Sequence, residues 1–267
     1  MFYYFGFGSN MSLRSLRAKS VEPLSSQRAA LYGWRLRFNV RHFFRHEGGV
    51  GNIERTGAPQ DRVLGVLHEC PDEALGLLDE AEAYGHGYDR IEVAVEPAGG
   101  NRERIAALAY VGMPRFIDDS CRPGQRYLNI LLDGAREAAL DETYIQFLAS
   151  HPTHPVSHYP EFSPPPGSHP TFDRHSLAEH PFYTALYGAV FDMSAARPMH
   201  DYLKGFLGGK DMTLFHLKRL DSSHADETMD DIRAGRLNQA QRHYLNAYLH
   251  EYAREYRYIG HYSYHND

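Results

Sequence analysis

Two short segments of this 267-residue chain carry residue types that could do chemistry together. The first is Phe7-Gly8-Ser9-Asn10-Met11, where an aromatic run from Phe2 ends in small and polar residues. A strand that stops there and passes into a short helix turns several main-chain N–H groups toward one point, and the helix adds its positive end. Such a nest suits a carboxylate or a developing oxyanion. The second segment is Leu78-Asp79-Glu80-Ala81-Glu82, three carboxylates within four positions, just before Tyr84-Gly85-His86-Gly87-Tyr88. Carboxylates at a helix C-terminus oppose its dipole. One of them, enclosed among like charges, would hold its proton unusually tightly and serve as a general base near neutral pH. The competing reading of that stretch is a solvated acidic face.

The elements that must position these segments follow from periodicity. Residues 2–7 read as a buried strand, and Leu13 and Leu16 mark a brief helix behind Ser12 as N-cap. Residues 34–44 and 62–69 read as strands. Pro71 opens an acidic turn into a helix whose Leu75, Leu77 and Leu78 lead to Ala81. Ile91, Val93 and Val95 alternate as a half-buried strand, with 105–111 its expected neighbour. Tyr127, Ile130, Leu131 and Ala135 continue another helix. A stretch rich in Pro and His over 151–181, including Pro164-Pro165-Pro166-Gly167, predicts a linker. The expected organisation is therefore a domain over 1–150 and an α-rich extension over 182–267. In that extension 187–191 and 212–217 read as strands and 238–258 as an amphipathic helix. Its Tyr244, Tyr248, Tyr252 and Tyr256 form a stripe expected to pack on the first domain or to support self-association.

Read in order, the segments resemble successive motifs of the γ-glutamylcyclotransferase-like (AIG2-like) family. Tyr4-Phe5-Gly6-Phe7-Gly8-Ser9-Asn10-Met11 is similar to its Y-G-S-N-L signature, and Gly65-Val66-Leu67 to the close of a strand. Leu78-Asp79-Glu80-Ala81-Glu82 is similar to its L-D-x-x-E, and the segment led by Tyr88 to the strand that follows. Pro123-Gly124-Gln125-Arg126-Tyr127 with Gly134-Ala135 resembles the late P-S-x-x-Y and G-A helix. The resemblance runs from Tyr3 to about Leu148. It implies an α+β fold built on a small mixed-sheet β-barrel. It also implies release of 5-oxoproline and an amine from a small γ-glutamyl compound by intramolecular aminolysis.

On that resemblance Glu82 is the general acid/base, and Gly8, Ser9 and Asn10 hold the γ-glutamyl group through their main chain. Phe7, Met11, Tyr88 and Tyr127 stand beside the substrate, Asp79 and Glu80 have structural or tuning roles, and neither metal nor cofactor is needed. The chain departs from the pattern twice: Phe7 replaces the signature Tyr, and Ala83 follows Glu82 where many members have Gly. The alternative is a non-catalytic ligand-binding module of the same fold, with the C-terminal part as an interaction surface. A water-using hydrolase would instead release free glutamate.

Other chemistries are poorly supported. Lys and Arg against Asp and Glu, 28 against 34, leave a net charge of −6, divided as −3 on each side of Ser150. That offers no basic domain to follow a nucleic-acid backbone. No stretch approaches the roughly 20 apolar residues of a membrane span. The absence of a basic leader, together with two isolated cysteines, Cys70 and Cys121, points to the cytoplasm. Pro152 and Pro155 deprive His151, His154 and His158 of the helical spacing that would make them metal ligands. His86 is expected in solvent, and Ser9 lacks the Gly-x-Ser-x-Gly elbow of a nucleophile.

Overall fold

The N-terminal aromatic run is apolar at every position because both of its faces are covered. In the computed structural model, which describes residues 1–99, 103–224 and 226–264, β1 (Phe2–Gly6) turns Phe5 into a barrel interior. Tyr4 points the other way, into a cluster with Leu16, Leu78 and Tyr110. Side chains alternate along a strand, so a strand covered on both faces needs apolar residues throughout.

The chain divides into two units, Met1–His42 with Glu47–Pro155, and Phe43–His46 with Val156–Asp267. In the first unit α1 (Leu13–Arg17) leads to β2 (Ser25–Tyr32), and β3 (Trp34–Arg41) pairs with β4 (Gly49–Arg55) as a separate antiparallel sheet. After these come β5 (Arg62–Cys70), α2 (Ala74–Ala81), β6 (Tyr88–Pro97), β7 (Ile105–Gly112), α3 (Gln125–Glu137) and α4 (Glu142–Ala149). The order β1-β5-β2-β6-β7 closes into a barrel, parallel where β1 meets β7 and antiparallel elsewhere. The expected small mixed-sheet barrel is thus present.

Phe5, Leu31, Val63, Val95 and Leu131 are fully enclosed in this unit. Each such side chain contributes roughly 1.5–3 kcal/mol relative to exposure. Gly134 lets α3 sit directly on the loop after β1: a Cβ there would lie 2.9 Å from the Ser12 nitrogen. β2, β4 and α4 were not foreseen. Ser12 does precede α1, but its side chain makes no capping hydrogen bond.

The second unit is not simply α-rich. It contains β8 (Thr171–Phe172), α5 (Arg174–Ala178), β9 (Tyr183–Leu186), β10 (Ala189–Asp192) and α6 (Asp201–Leu207). It continues with β11 (Lys210–Asp211), α7 (Thr213–Leu217), α8 (Met229–Arg233), α9 (Gln239–Glu255) and β12 (Arg257–Tyr262). The five strands form a sheet ordered β11-β9-β10-β12-β8. Part of the expected linker therefore belongs to this unit: Thr171 and Phe172 pair with His261 and Tyr262 of β12, and a capping box between Asp173 and Ser176 starts α5 soon after the prolines.

The span 212–217 is also corrected, from strand to helix. Asp211 Oδ1 accepts the Thr213 hydroxyl at 2.7 Å and its N–H at 3.3 Å, which turns the chain. The tyrosine stripe packs within its own unit, where Tyr248 and Tyr252 are enclosed and Phe44 stacks on Tyr252 at 5.1 Å. Among the described residues no helix is long and apolar enough to cross a membrane.

Candidate functional site

β1 ends at Gly6, and the following residues close a tight turn. The Met11 N–H donates to the Gly8 carbonyl at 3.0 Å and the Ser12 N–H to that of Ser9 at 3.2 Å. These two donors are used inside the turn, so the nest is narrower than the sequence suggested. Asn10 is buried, and its carbonyl accepts from His68 Nε2 on β5 at 2.9 Å. A carbonyl cannot donate, so Nε2 carries the proton, and Nδ1 accepts from the Ser26 hydroxyl at 2.8 Å. Burial lowers the His68 pKa to about 4, against a weaker opposing effect of the Asn10 bond. The imidazole is therefore neutral at neutral pH and holds the loop in place.

The acid approaches from the end of α2. The Tyr84 N–H reaches back to the Asp79 carbonyl at 2.9 Å and the Ala83 N–H to that of Glu80 at 3.2 Å, the paired bonds of a Schellman end. Ala83 adopts the left-handed conformation this requires, φ 50°, so the bend survives without glycine. Glu82, at the helix C-cap, turns its side chain to the loop. Asn10 Nδ2 donates to Glu82 Oε1 at 2.9 Å and to the Tyr4 hydroxyl at 2.7 Å. The Lys19 ammonium donates to the same Oε1 at 3.1 Å and also to Asn10 Oδ1. Only 16% of the Glu82 side chain and 10% of the Lys19 side chain are exposed.

The three carboxylates of the acidic segment diverge. Asp79 receives Arg90 Nη1 on both oxygens, at 2.8 and 2.6 Å, and the Tyr110 hydroxyl at 2.7 Å. Glu80 is exposed. Glu82 thus meets a cation and an amide where the sequence suggested other carboxylates.

Tyr127, near the start of α3, closes another side. Its hydroxyl oxygen accepts the Gly51 N–H at 3.0 Å, and the Ser9 main chain is directed at it as well. A Cβ on Gly8 or Gly51 would lie 2.8 or 2.7 Å from that oxygen, which explains both glycines. Burial pushes the Tyr127 pKa up to about 12, so the phenol keeps its proton. The Tyr88 hydroxyl donates to the Gly51 carbonyl at 2.8 Å, and burial raises its pKa well above the usual value. Gly8, Ser9, Asn10, Tyr127 and Tyr88 are therefore linked through the loop and Gly51, and Glu82 joins them through Asn10. Phe7 and Met11 instead pack into the barrel core.

Lys19, His68, Gly51 and Tyr4 were not singled out from the sequence as site residues. Lys19 had one available signal: it is the only lysine before Lys204. His86 is exposed, and the His151 Nδ1 lies 2.9 Å from the Phe147 carbonyl at the end of α4. Among the described residues no group of three or more His, Cys, Asp or Glu is placed to hold a metal ion.

A separate cleft of about 850 Å³ lies elsewhere in this unit, lined among others by Trp34, Arg55, Glu92 and Arg104. Its size does not make it the chemical site. It contains none of the loop or α2 groups, whereas Glu82 combines enclosure with hydrogen-bonded contact to the loop.

Residues 62–148 match the model of the AIG2-like family. The fold is similar to that of a solved γ-glutamyl cyclotransferase at 26% identity and a TM-score of 0.51, over 59% of this chain and 92% of that one. It is also similar to that of the uncharacterized protein loc79017 from Homo sapiens, at 24% identity and a TM-score of 0.50 over the same shares of the two chains, 59% and 92%. No curated protein matches.

Proposed function

We propose, from the match of residues 62–148 to the AIG2-like family and the similarity of the fold to a γ-glutamyl cyclotransferase, that the chain converts a γ-glutamyl compound to 5-oxoproline with release of an amine. The observation carrying this reading is the 2.9 Å bond from Asn10 Nδ2 to Glu82 Oε1, which joins loop and acid across 72 positions of sequence. The substrate brings its own nucleophile. Its α-amine, with a pKa of about 8, is mostly protonated near neutrality and inert as an ammonium.

Glu82 takes a proton from that ammonium, and the freed lone pair attacks the γ-carbonyl carbon. The carbonyl π electrons move to oxygen. The loop main chain at Gly8 and Asn10 and the proton of the Tyr127 hydroxyl stabilise the resulting oxyanion. Donation from Gly51 to the phenol oxygen leaves that proton available to the substrate. The oxyanion then collapses and the bond to the departing nitrogen breaks as Glu82 returns the proton to it. The ring nitrogen gives its second proton to Glu82, which passes it to the released amine, leaving a neutral lactam and an ammonium. Holding amine and carbonyl together supplies on the order of 7–11 kcal/mol in favourable cases.

The test is a panel of γ-glutamyl amino acids, γ-glutamyl amines and glutathione, assayed for 5-oxoproline by chromatography. Release from at least one member is expected. Binding without release would leave only a ligand-binding module, and free glutamate would indicate hydrolysis.

A further inference from the structure

Glu82 is held asymmetrically. Its two hydrogen-bond partners, Asn10 Nδ2 and the Lys19 ammonium, both meet Oε1, and among the described residues no hydrogen bond falls on Oε2. Lys19 is itself firmly placed. It occupies the turn after α1, where Ser20 is left-handed at φ 59° and the Val21 N–H returns to the Leu16 carbonyl at 3.0 Å. Val21 and Leu16 are both fully buried there, so the turn is anchored on each side of the lysine. Lys19 is the only lysine of this unit, whose other permanently cationic side chains are arginines. An ammonium is a compact point charge that can approach one carboxylate oxygen, whereas a guanidinium favours bridging both.

We infer that Lys19 is a positioning residue for the proton transfer: it clamps Glu82 through Oε1 and thereby presents Oε2 to the α-ammonium of the substrate. The inference rests on the cyclisation reading and adds to it the oxygen that moves the proton. It also assigns Lys19 an electrostatic part. A substrate ammonium reaching Oε2 comes close to a second cation, and like charge favours loss of the substrate proton. The N–H bond of the ammonium breaks, the proton goes to Oε2, and its electron pair becomes the nucleophile. After the ring closes, that proton leaves Oε2 for the departing nitrogen, and Oε2 then takes the ring nitrogen's second proton and hands it to the released amine. Lys19 gains and loses no proton in the cycle.

The experiment compares the full-length wild type, Lys19→Met and Lys19→Arg on the best substrate of the panel, between pH 5 and 9. Lys19→Met is expected to lower kcat at least tenfold with KM changed less than threefold, and to move the acid limb of the rate profile to higher pH. Lys19→Arg should restore part of kcat and return the limb toward its wild-type place. A lysine that merely supports the fold would change the folded fraction without moving the limb. Wild-type kcat and profile in Lys19→Met would overturn the inference while leaving the cyclisation reading intact.

A second measurement does not depend on turnover. Thermal unfolding midpoints of the two single variants and the Lys19→Met, Glu82→Gln double variant form a cycle. Lys19→Met should lower the midpoint at least twice as much beside Glu82 as beside Gln; an equal drop in both backgrounds overturns the clamp. If the wild type releases no 5-oxoproline at all, the cyclisation reading fails, and the cycle alone judges the clamp.

Discussion

Two carboxylates three positions apart at the end of α2 meet opposite fates. Asp79 has both oxygens engaged, by Arg90 and Tyr110, and lies among groups whose hydrogen bonds it completes. Glu82 has one oxygen held, by Asn10 and Lys19, on the side where the N-terminal loop arrives. Their side chains differ little in exposure, 24% for Asp79 and 16% for Glu82, so burial alone does not distinguish them. What separates them is commitment. A carboxylate fully matched to a guanidinium and a phenol stabilises the fold, whereas one with an uncommitted oxygen can exchange a proton.

The sharpest way to break that contrast is Glu82→Gln. The amide retains an acceptor for Asn10 and Lys19, so the fold should persist, while 5-oxoproline release falls by about 10²–10⁴-fold. Turnover assays alongside circular dichroism check both halves.

The next effect concerns the support of the loop. His68 has a folded pKa of about 4 against about 6.5 unfolded, so the unfolded chain binds more protons between those values. Its contribution is complete above pH 6.5 and declines as pH falls toward 4, by an amount on the order of 3 kcal/mol. Denaturant unfolding at several pH values should show this loss in the wild type and a flatter dependence in His68→Gln.

Tyr127→Phe should then lower kcat/KM by on the order of 10², from the lost oxyanion donor, with loss of the Gly51 bond costing about 1 kcal/mol of stability. An unchanged rate constant would remove the phenol from the chemistry. The smallest effect on turnover belongs to Asp79→Asn. It should cost about 1–2 kcal/mol of stability through the broken, half-buried ion pair and leave kcat within about threefold of wild type. A collapse of turnover in folded Asp79→Asn protein would erase the distinction between the two carboxylates.

Much of this site was legible where one local rule dominates. The buried strand at 2–6, the helix ending at Ala81 and the barrel strand led by Tyr88 follow from apolar patterning, and the loop follows from its small residues. Glu82 could be named only through the family resemblance, as the last carboxylate of the L-D-x-x-E match; the acidic run by itself did not choose among its three members. The partner of Glu82 could not be named. Lys19 reaches Glu82 through a turn set by a left-handed Ser20, and no periodicity encodes that meeting. β4 was missed because Gly49 and Gly51 weaken its strand character; the structure explains them by the close approach of the Phe38 carbonyl and the Tyr127 hydroxyl. The tyrosine stripe of α9 had the right period, and one of the groups it meets, Phe44, does come from the first 150 residues, although it belongs to the second unit. Amphipathicity says that a face is covered and not by what, and here aromatic groups of the same unit, Phe44 and Phe191, cover it.

The most direct test of the central claim is a crystal structure of the wild-type protein with 5-oxoproline bound. The lactam nitrogen should lie within hydrogen-bond reach of the Glu82 carboxylate, about 2.6–3.2 Å, with the ring carbonyl facing the Gly8–Asn10 main chain or the Tyr127 hydroxyl. Product seated instead in the cleft beside Trp34 and Arg55, with Glu82 still closed on Asn10 and Lys19, would contradict it.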